Sequence, residues 1–322
     1  MSSKIIMKQI MPFLPHDIKT ILNGCSPFLL DKVQEIRLRE ERPLMLVWSD
    51  GDVMLNLKGN EAKRKEDAYL VKKEDLQKLL QVISNHSLYA FEEELRNAYL
   101  TVPGGHRIGL VGKAVLVDGR IKLQKFISGV NIRISREVIG AGDKVINFLL
   151  GKNGSVYNTL IVSPPQCGKT TLLRDLVRLL SSGVPLYGFK GVKVGLVDER
   201  SEIAACFEGV PQNNIGIRTD IIDGCPKVQG MMLLIRSMSP QVLVTDEIGR
   251  IEDAAAVEEA LNAGVSVITT AHGGSMRDLQ ERPGLKKLVE NKVFKRIIFL
   301  GKTKGVGTLE RIWDQERARN LV

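Results

Sequence analysis

The C-terminal half of this 322-residue chain predicts an α/β fold built on a mostly parallel sheet, and three observations carry that expectation. Short apolar, β-branched runs alternate with stretches of helical periodicity, the pattern of strands and helices stacked in layers. A loop with the spacing of a phosphate-binding motif stands between the first such run and the first such helix. Downstream, another apolar run ends in two adjacent acids, at the strand end where open α/β sheets place their ligands.

The strand candidates are residues 159–162, 192–197, 242–245, 265–270 and 296–300, each too short for a helix and rich in Val, Ile and Thr. Helical stretches lie between them at 169–180, 228–238, 253–263 and 276–288, the last interrupted around Pro283-Gly284. Strands and helices in this succession make the RecA-like order of elements. The first half is less regular, with helices expected at 73–84 and 88–97 and strand-like runs at 44–48, 107–117 and 121–126. It reads as a smaller α+β domain. The Gly-rich Ile139-Gly-Ala-Gly-Asp143, followed by a helical run to Leu150, marks a connection. The expected organisation is an N-terminal domain over 1–138, a linker over 139–150 and a RecA-like P-loop domain over 151–322.

Hydrophobic residues at 43% and charged residues at 26% exclude disordered and fibrous classes. The formal net charge of +9 is dispersed: 23 Lys and Arg face 18 Asp and Glu in residues 1–150, and 23 face 19 in the remainder. Lys63-Arg64-Lys65 is flanked by Glu61, Glu66 and Asp67, the make-up of a solvated surface rather than a binding patch. Aromatic residues at 5% leave little for a base-stacking platform, so no specific nucleic-acid partner is expected. Cysteines at 25, 167, 206 and 225 show no CxxC spacing and the four histidines no HxxxH. No metal cluster follows, and a reducing compartment fits. No run approaches the length of a membrane span, so attachment to a membrane is expected only through other proteins.

In Ser163-Pro164-Pro165-Gln166-Cys167-Gly168-Lys169-Thr170-Thr171, Ser takes the place of the usual first Gly and is small enough for the loop to close. Backbone N–H groups of such a loop converge on phosphate oxygens at a helix start. Lys169 would neutralise the β and γ phosphates of ATP, and the Thr170 hydroxyl would ligate Mg²⁺. Of the acids ending Val242-Leu-Val-Thr-Asp246-Glu247, neighbouring positions on a strand point opposite ways. Asp246 is therefore assigned to the metal and Glu247 to the attacking water. Two more strand ends, at Asp198-Glu199-Arg200 and Thr270-Ala271-His272, should lie beside them, which singles out Glu199 and His272.

The string from Leu234 through Arg236, Pro240, Asp246, Glu247 and Arg250, continued by Gly264 and Thr269-Thr-Ala-His272, resembles the ATPases of type II and type IV secretion systems and pilus motors. Arg236, Glu247, Gly264 and His272 fall on that family's Walker B and His-box features and Glu199 on its acidic box. That family commonly has Gly where Asp246 stands, and its Walker B arginine one place before Arg250. In the first half, Glu35-Ile-Arg37-Leu-Arg39, His86-Ser-Leu-Tyr89-Ala-Phe91, Pro103-Gly-Gly-His-Arg107 and Ile132-Arg133-Ile-Ser-Arg136 resemble the stage III sporulation protein AA family. The resemblance implies a cytoplasmic, hexameric ATPase in the mother cell of an endospore former, energising a channel of integral membrane proteins that leads to the forespore. It also implies that first-domain arginines complete the nucleotide site, with Arg107, Arg133 and Arg136 as the candidates. The competing class, a nucleic-acid motor of the RecA or helicase type, shares the same core and is disfavoured by the aromatic content.

Overall fold

The computed structural model describes residues 2–84, 96 and 98–322. The chain divides into two compact units, Met1–Arg136 and Glu137–Val322. The helix expected at 88–97 lies outside the described residues apart from Arg96.

The first unit is a seven-stranded antiparallel sheet in the order β4-β3-β2-β1-β7-β6-β5. Its strands are β1 (Glu35–Arg39), β2 (Met45–Trp48), β3 (Gly51–Leu55), β4 (Glu61–Ala62), β5 (Tyr99–Val102), β6 (His106–Val117) and β7 (Arg120–Arg133). Alternation decides which face is covered. In β1, Ile36 and Leu38 are buried between the half-exposed Glu35, Arg37 and Arg39. They pack with Ile108, Leu110, Val130 and Ile132 from the long hairpin strands, against the apolar stripes of helices α1 (His16–Gly24) and α2 (Lys73–Ile83). Each fully buried Ile or Leu stabilises such a core by roughly 1.5–3 kcal/mol.

The second unit carries an eight-stranded sheet in the order β10-β9-β11-β12-β8-β13-β14-β15. In chain order its elements are β8 (Thr159–Ser163), α3 (Lys169–Ser182), β9 (Val194–Asp198), β10 (Thr219–Asp223), α4 (Lys227–Met238), β11 (Val242–Thr245), α5 (Ile251–Asn262), β12 (Ser266–His272), α6 (Met276–Gln280), α7 (Pro283–Glu290), β13 (Arg296–Gly301), β14 (Thr308–Asp314) and β15 (Arg319–Asn320). The six strands from β10 to β13 are parallel, and β14 and β15 add an antiparallel edge. The fold is RecA-like. Central strands are buried on both faces, which is why they read as unbroken apolar runs. Ile161, Leu196, Val244 and Ile268 meet Leu172, Leu173, Leu176 and Leu180 of α3 on one side. On the other, Leu160, Leu243 and Val267 meet Met231, Val257, Leu285 and Leu288. Residues 139–150, expected as a connection, contribute Val145, Ile146 and Leu149 to this unit's core. Among the described residues no helix is long and apolar enough to cross a membrane.

Candidate active site

Four adjacent parallel strands, β9, β11, β12 and β8, end on the same side of the sheet. Their ends deliver Asp198-Glu199, Asp246-Glu247, His272 and the loop that starts at Ser163. The loop turns through Gln166 at φ 58° and Gly168 at φ 84°, both left-handed. Gly168 is required twice over, because a Cβ there would be strained and would sit 3.2 Å from the Gly307 Cα. Lys169 then opens α3, so the loop's N–H groups gather at a helix start.

The Lys169 ammonium shares its three N–H groups among four neighbours, with the Ser163 carbonyl at 2.9 Å, the Pro164 carbonyl at 3.1 Å and the Ser163 Oγ at 3.2 Å. It also lies 3.0 Å from His272 Nδ1, and His272 Nε2 lies 2.9 Å from Glu247 Oε2. A ring nitrogen that accepts from an ammonium carries no proton, so the hydrogen sits on Nε2 and is donated to the Glu247 carboxylate. Cation, imidazole and acid form one chain of hydrogen bonds. Burial holds the Lys169 pKa below the usual lysine range, and the Glu247 charge partly offsets it. Around this chain is a cleft of about 320 Å³ lined by residues 165–171, Arg200, Glu202, Asp246, Glu247, Thr270 and His272.

The four acids of β9 and β11 are used differently. Asp198, fully buried, accepts from the backbone N–H groups of Glu202 at 2.9 Å, Ile203 at 2.9 Å and Ala204 at 2.8 Å. It shapes the loop that follows β9. Glu199 points instead to Lys227 Nζ at 3.1 Å, and the same ammonium lies 3.7 Å from Asp246 Oδ1 and donates to the Glu247 carbonyl. Burial pushes the Asp246 carboxyl up to about 6, against the pull of Lys227. Its Oδ1 is buried without a hydrogen-bond partner, and an oxygen so placed fits the hydration shell of a divalent cation. Among the described residues no three acids, histidines or cysteines could hold a metal alone.

Lys227, the first residue of α4, carries no sequence signal of its function: one lysine after a proline is an ordinary helix start. Arg200 borders both this cleft and a neighbouring one of about 330 Å³ that includes Glu199, Lys227 and Arg250. Arg236 is exposed on the last turn of α4. Arg107, Arg133 and Arg136 belong to the first unit. Arg107 lies over the Tyr99 ring at 3.5 Å, Arg133 is 3.6 Å from Glu35, and Arg136 donates to the carbonyls of Asp31 and Val33.

A family model described as "Sporulation stage III, protein AA" matches residues 5–320. The chain belongs to this family. The family's Stage III sporulation protein AA from Bacillus subtilis (strain 168) is 44% identical over 310 residues, covering 96% of each chain. Among solved structures, the Yersinia pseudotuberculosis ATPase DotB matches with a TM-score of 0.54 at 15% identity, over 90% of this chain and 77% of that one. The pilus retraction motor PilT with bound ADP matches with a TM-score of 0.50 at 15% identity, over 83% of this chain and 74% of that one. At such identities the likeness shows the fold alone.

Proposed function

We propose that the chain is an ATP-hydrolysing motor of the secretion-ATPase kind, working in the mother cell of an endospore former on a channel of integral membrane proteins. One observation carries the reading: the hydrogen-bonded line from Lys169 through His272 to Glu247 joins the phosphate loop to the acid strand end. Lys169 supplies the cation for the β and γ phosphates, with Ser163, Pro164, Pro165, Gln166, Cys167, Gly168 and Thr171 forming the cradle. Glu247 aligns or deprotonates the attacking water, and His272 ties its orientation to the lysine. Thr170 and Asp246 would hold Mg²⁺, which when bound neutralises phosphate charge. Glu199, fixed by Lys227, stands beside Asp246 and completes the acidic wall.

Phosphoryl transfer calls for further positive charge at the γ-phosphate. Arg107, Arg133 or Arg136 supplies it, in the chain's own site or a neighbour's in a hexameric ring, with Arg236 and Arg250 as rivals within the second unit. The ring, the cytoplasmic location and contact with membrane proteins belong to this proposal; the sporulation family and the likeness to a structure named as a pilus retraction motor support a mechanical role.

Glu247→Gln tests the reading. The amide keeps size and loses the charge, so the variant is expected to bind ATP as tightly as wild type by calorimetry while turnover falls by about 100-fold or more. Turnover within twofold of wild type, about the noise of such assays, would sink the assignment of Glu247. Light scattering with and without ATP reports ring formation in the same samples.

A further inference from the structure

Beyond the nucleotide site, the first unit extends an arm. Among the described residues β6 pairs with β5 from His106 to Gly109, with one further bond from the Leu110 N–H to the Ala98 carbonyl, and β7 pairs with β1 from Gly129 to Arg133, with one further bond from the Glu40 N–H to the Ser128 carbonyl. Farther out, from Lys113 to Lys125, the two strands pair only with each other among the described residues. The arm closes on Asp118 at φ 51° and Gly119 at φ 74°, the positive pair of a type I′ turn. By the rise of a strand it is about 20 Å long. A hairpin of two strands is marginal in water without a third element, and this one leaves Val111, Leu116, Val117, Ile121 and Phe126 48–78% exposed.

Charge and edge geometry narrow the partner. Lys113, Arg120, Lys122 and Lys125 stand on the arm against the single acid Asp118, and among the described residues none of these cations forms an ion pair. Lys113 and Lys125 are directly opposed across the strands, an arrangement that is unfavourable until an acid lies beside it. Both register irregularities put their extra residues on β7, around Phe126 and Lys122. Bulges blunt an edge against pairing. The β6 side, Lys113-Ala-Val-Leu-Val117, is regular and mostly aliphatic. A second copy of the arm would bring like charges together. A hydrocarbon layer would leave the outward backbone groups unsatisfied, and Asp118 would be first to meet anionic headgroups.

We infer that the outer edge of β6, Lys113–Val117, takes a third strand from a partner polypeptide in which acidic and aliphatic residues alternate. The added strand satisfies the outward N–H and C=O groups, covers Ala114 and Leu116 on one face with its aliphatic positions and, on the other, sets a carboxylate beside the Lys113–Lys125 pair. The inference is independent of ATP hydrolysis.

The test uses the full chain and a fluorescein-labelled decapeptide alternating Glu and Val, with a Lys/Val decapeptide as control. Fluorescence anisotropy should show binding of the acidic peptide alone. Hydrogen exchange should slow at the amides of 113–117. In Lys113→Glu/Lys125→Glu, whose changes lie on the exposed arm, affinity should fall about tenfold or more and preference should pass to the Lys/Val peptide. Equal binding of both peptides, or an unchanged preference in the variant, overturns the inference. So does protection of 113–117 that grows with protein concentration alone, which would mean a second copy. Protection by phosphatidylglycerol vesicles but not by the peptide would mean a membrane surface and overturns it equally.

Discussion

At the scale of single residues, the site's side chains differ in how far a sequence can reveal them. Lys169, Asp246 and Glu247 sit inside motifs whose spacing states a task, and His272 and Glu199 gain meaning from sharing strand ends with them. Lys227 has no such frame, yet its ammonium joins Glu199, Asp246 and the Glu247 carbonyl. Lys227→Met is expected to lower kcat about tenfold while KM for ATP stays within about twofold, with partial recovery in Lys227→Arg. A loss confined to thermal stability would make the lysine structural only. In the first unit, His106 is fully buried, accepts from the Ser135 N–H at Nδ1 and reaches Gln9 Oε1 at 2.8 Å with Nε2. Burial pushes its pKa down to about 4. The folded state therefore binds fewer protons than the unfolded state between about 6.5 and about 4, and stability is lost as pH falls through that window. His106→Gln should remove about 2–3 kcal/mol of that pH dependence, read from urea unfolding at pH 7 and pH 4.5.

At the scale of elements, α3 is held at its middle as well as its start. Asp175, buried in α3, accepts from the N–H groups of Gly140 at 3.0 Å and Gly142 at 2.7 Å and from Arg178 Nε at 2.7 Å. A buried carboxylate with three donors is costly to remove, so Asp175→Ala should destabilise the second unit by about 2–4 kcal/mol in urea unfolding. The same clamp ties 139–150, expected as a connection, to α3, since Gly142 allows a close approach to Asp175 and Leu179. The central strands β8, β11, β12 and β13 were legible because burial on both faces demands apolar runs. The edge strand β10, Thr219-Asp-Ile-Ile-Asp223, is half-buried throughout and its acids hide it. In β1 the alternation of Ile36 and Leu38 with Arg37 and Arg39 is a strand signal, but the arginines draw the eye as surface charge. The antiparallel pair β14 and β15 is carried by partners rather than by its own composition, since only Ile312 and Asp314 of β14 are buried.

At the scale of the whole molecule, the division at Arg136 and Glu137 gives a natural truncation. A chain of residues 137–322 keeps the Asp175 clamp, the phosphate loop, both acidic strand ends and His272. It is expected to bind ATP and to hydrolyse it at least about tenfold more slowly than the full chain, because the arginines of the first unit are gone. Full-rate hydrolysis would assign the missing charge to Arg236 or Arg250. The proposed motor stands on ATP hydrolysis at the loop that carries Lys169. Steady-state ATP turnover by the full chain, measured beside Lys169→Ala with and without Mg²⁺, tests it most directly. Mg²⁺-dependent turnover in the wild type that falls to background in Lys169→Ala is the expected result, and wild-type turnover in Lys169→Ala would contradict it.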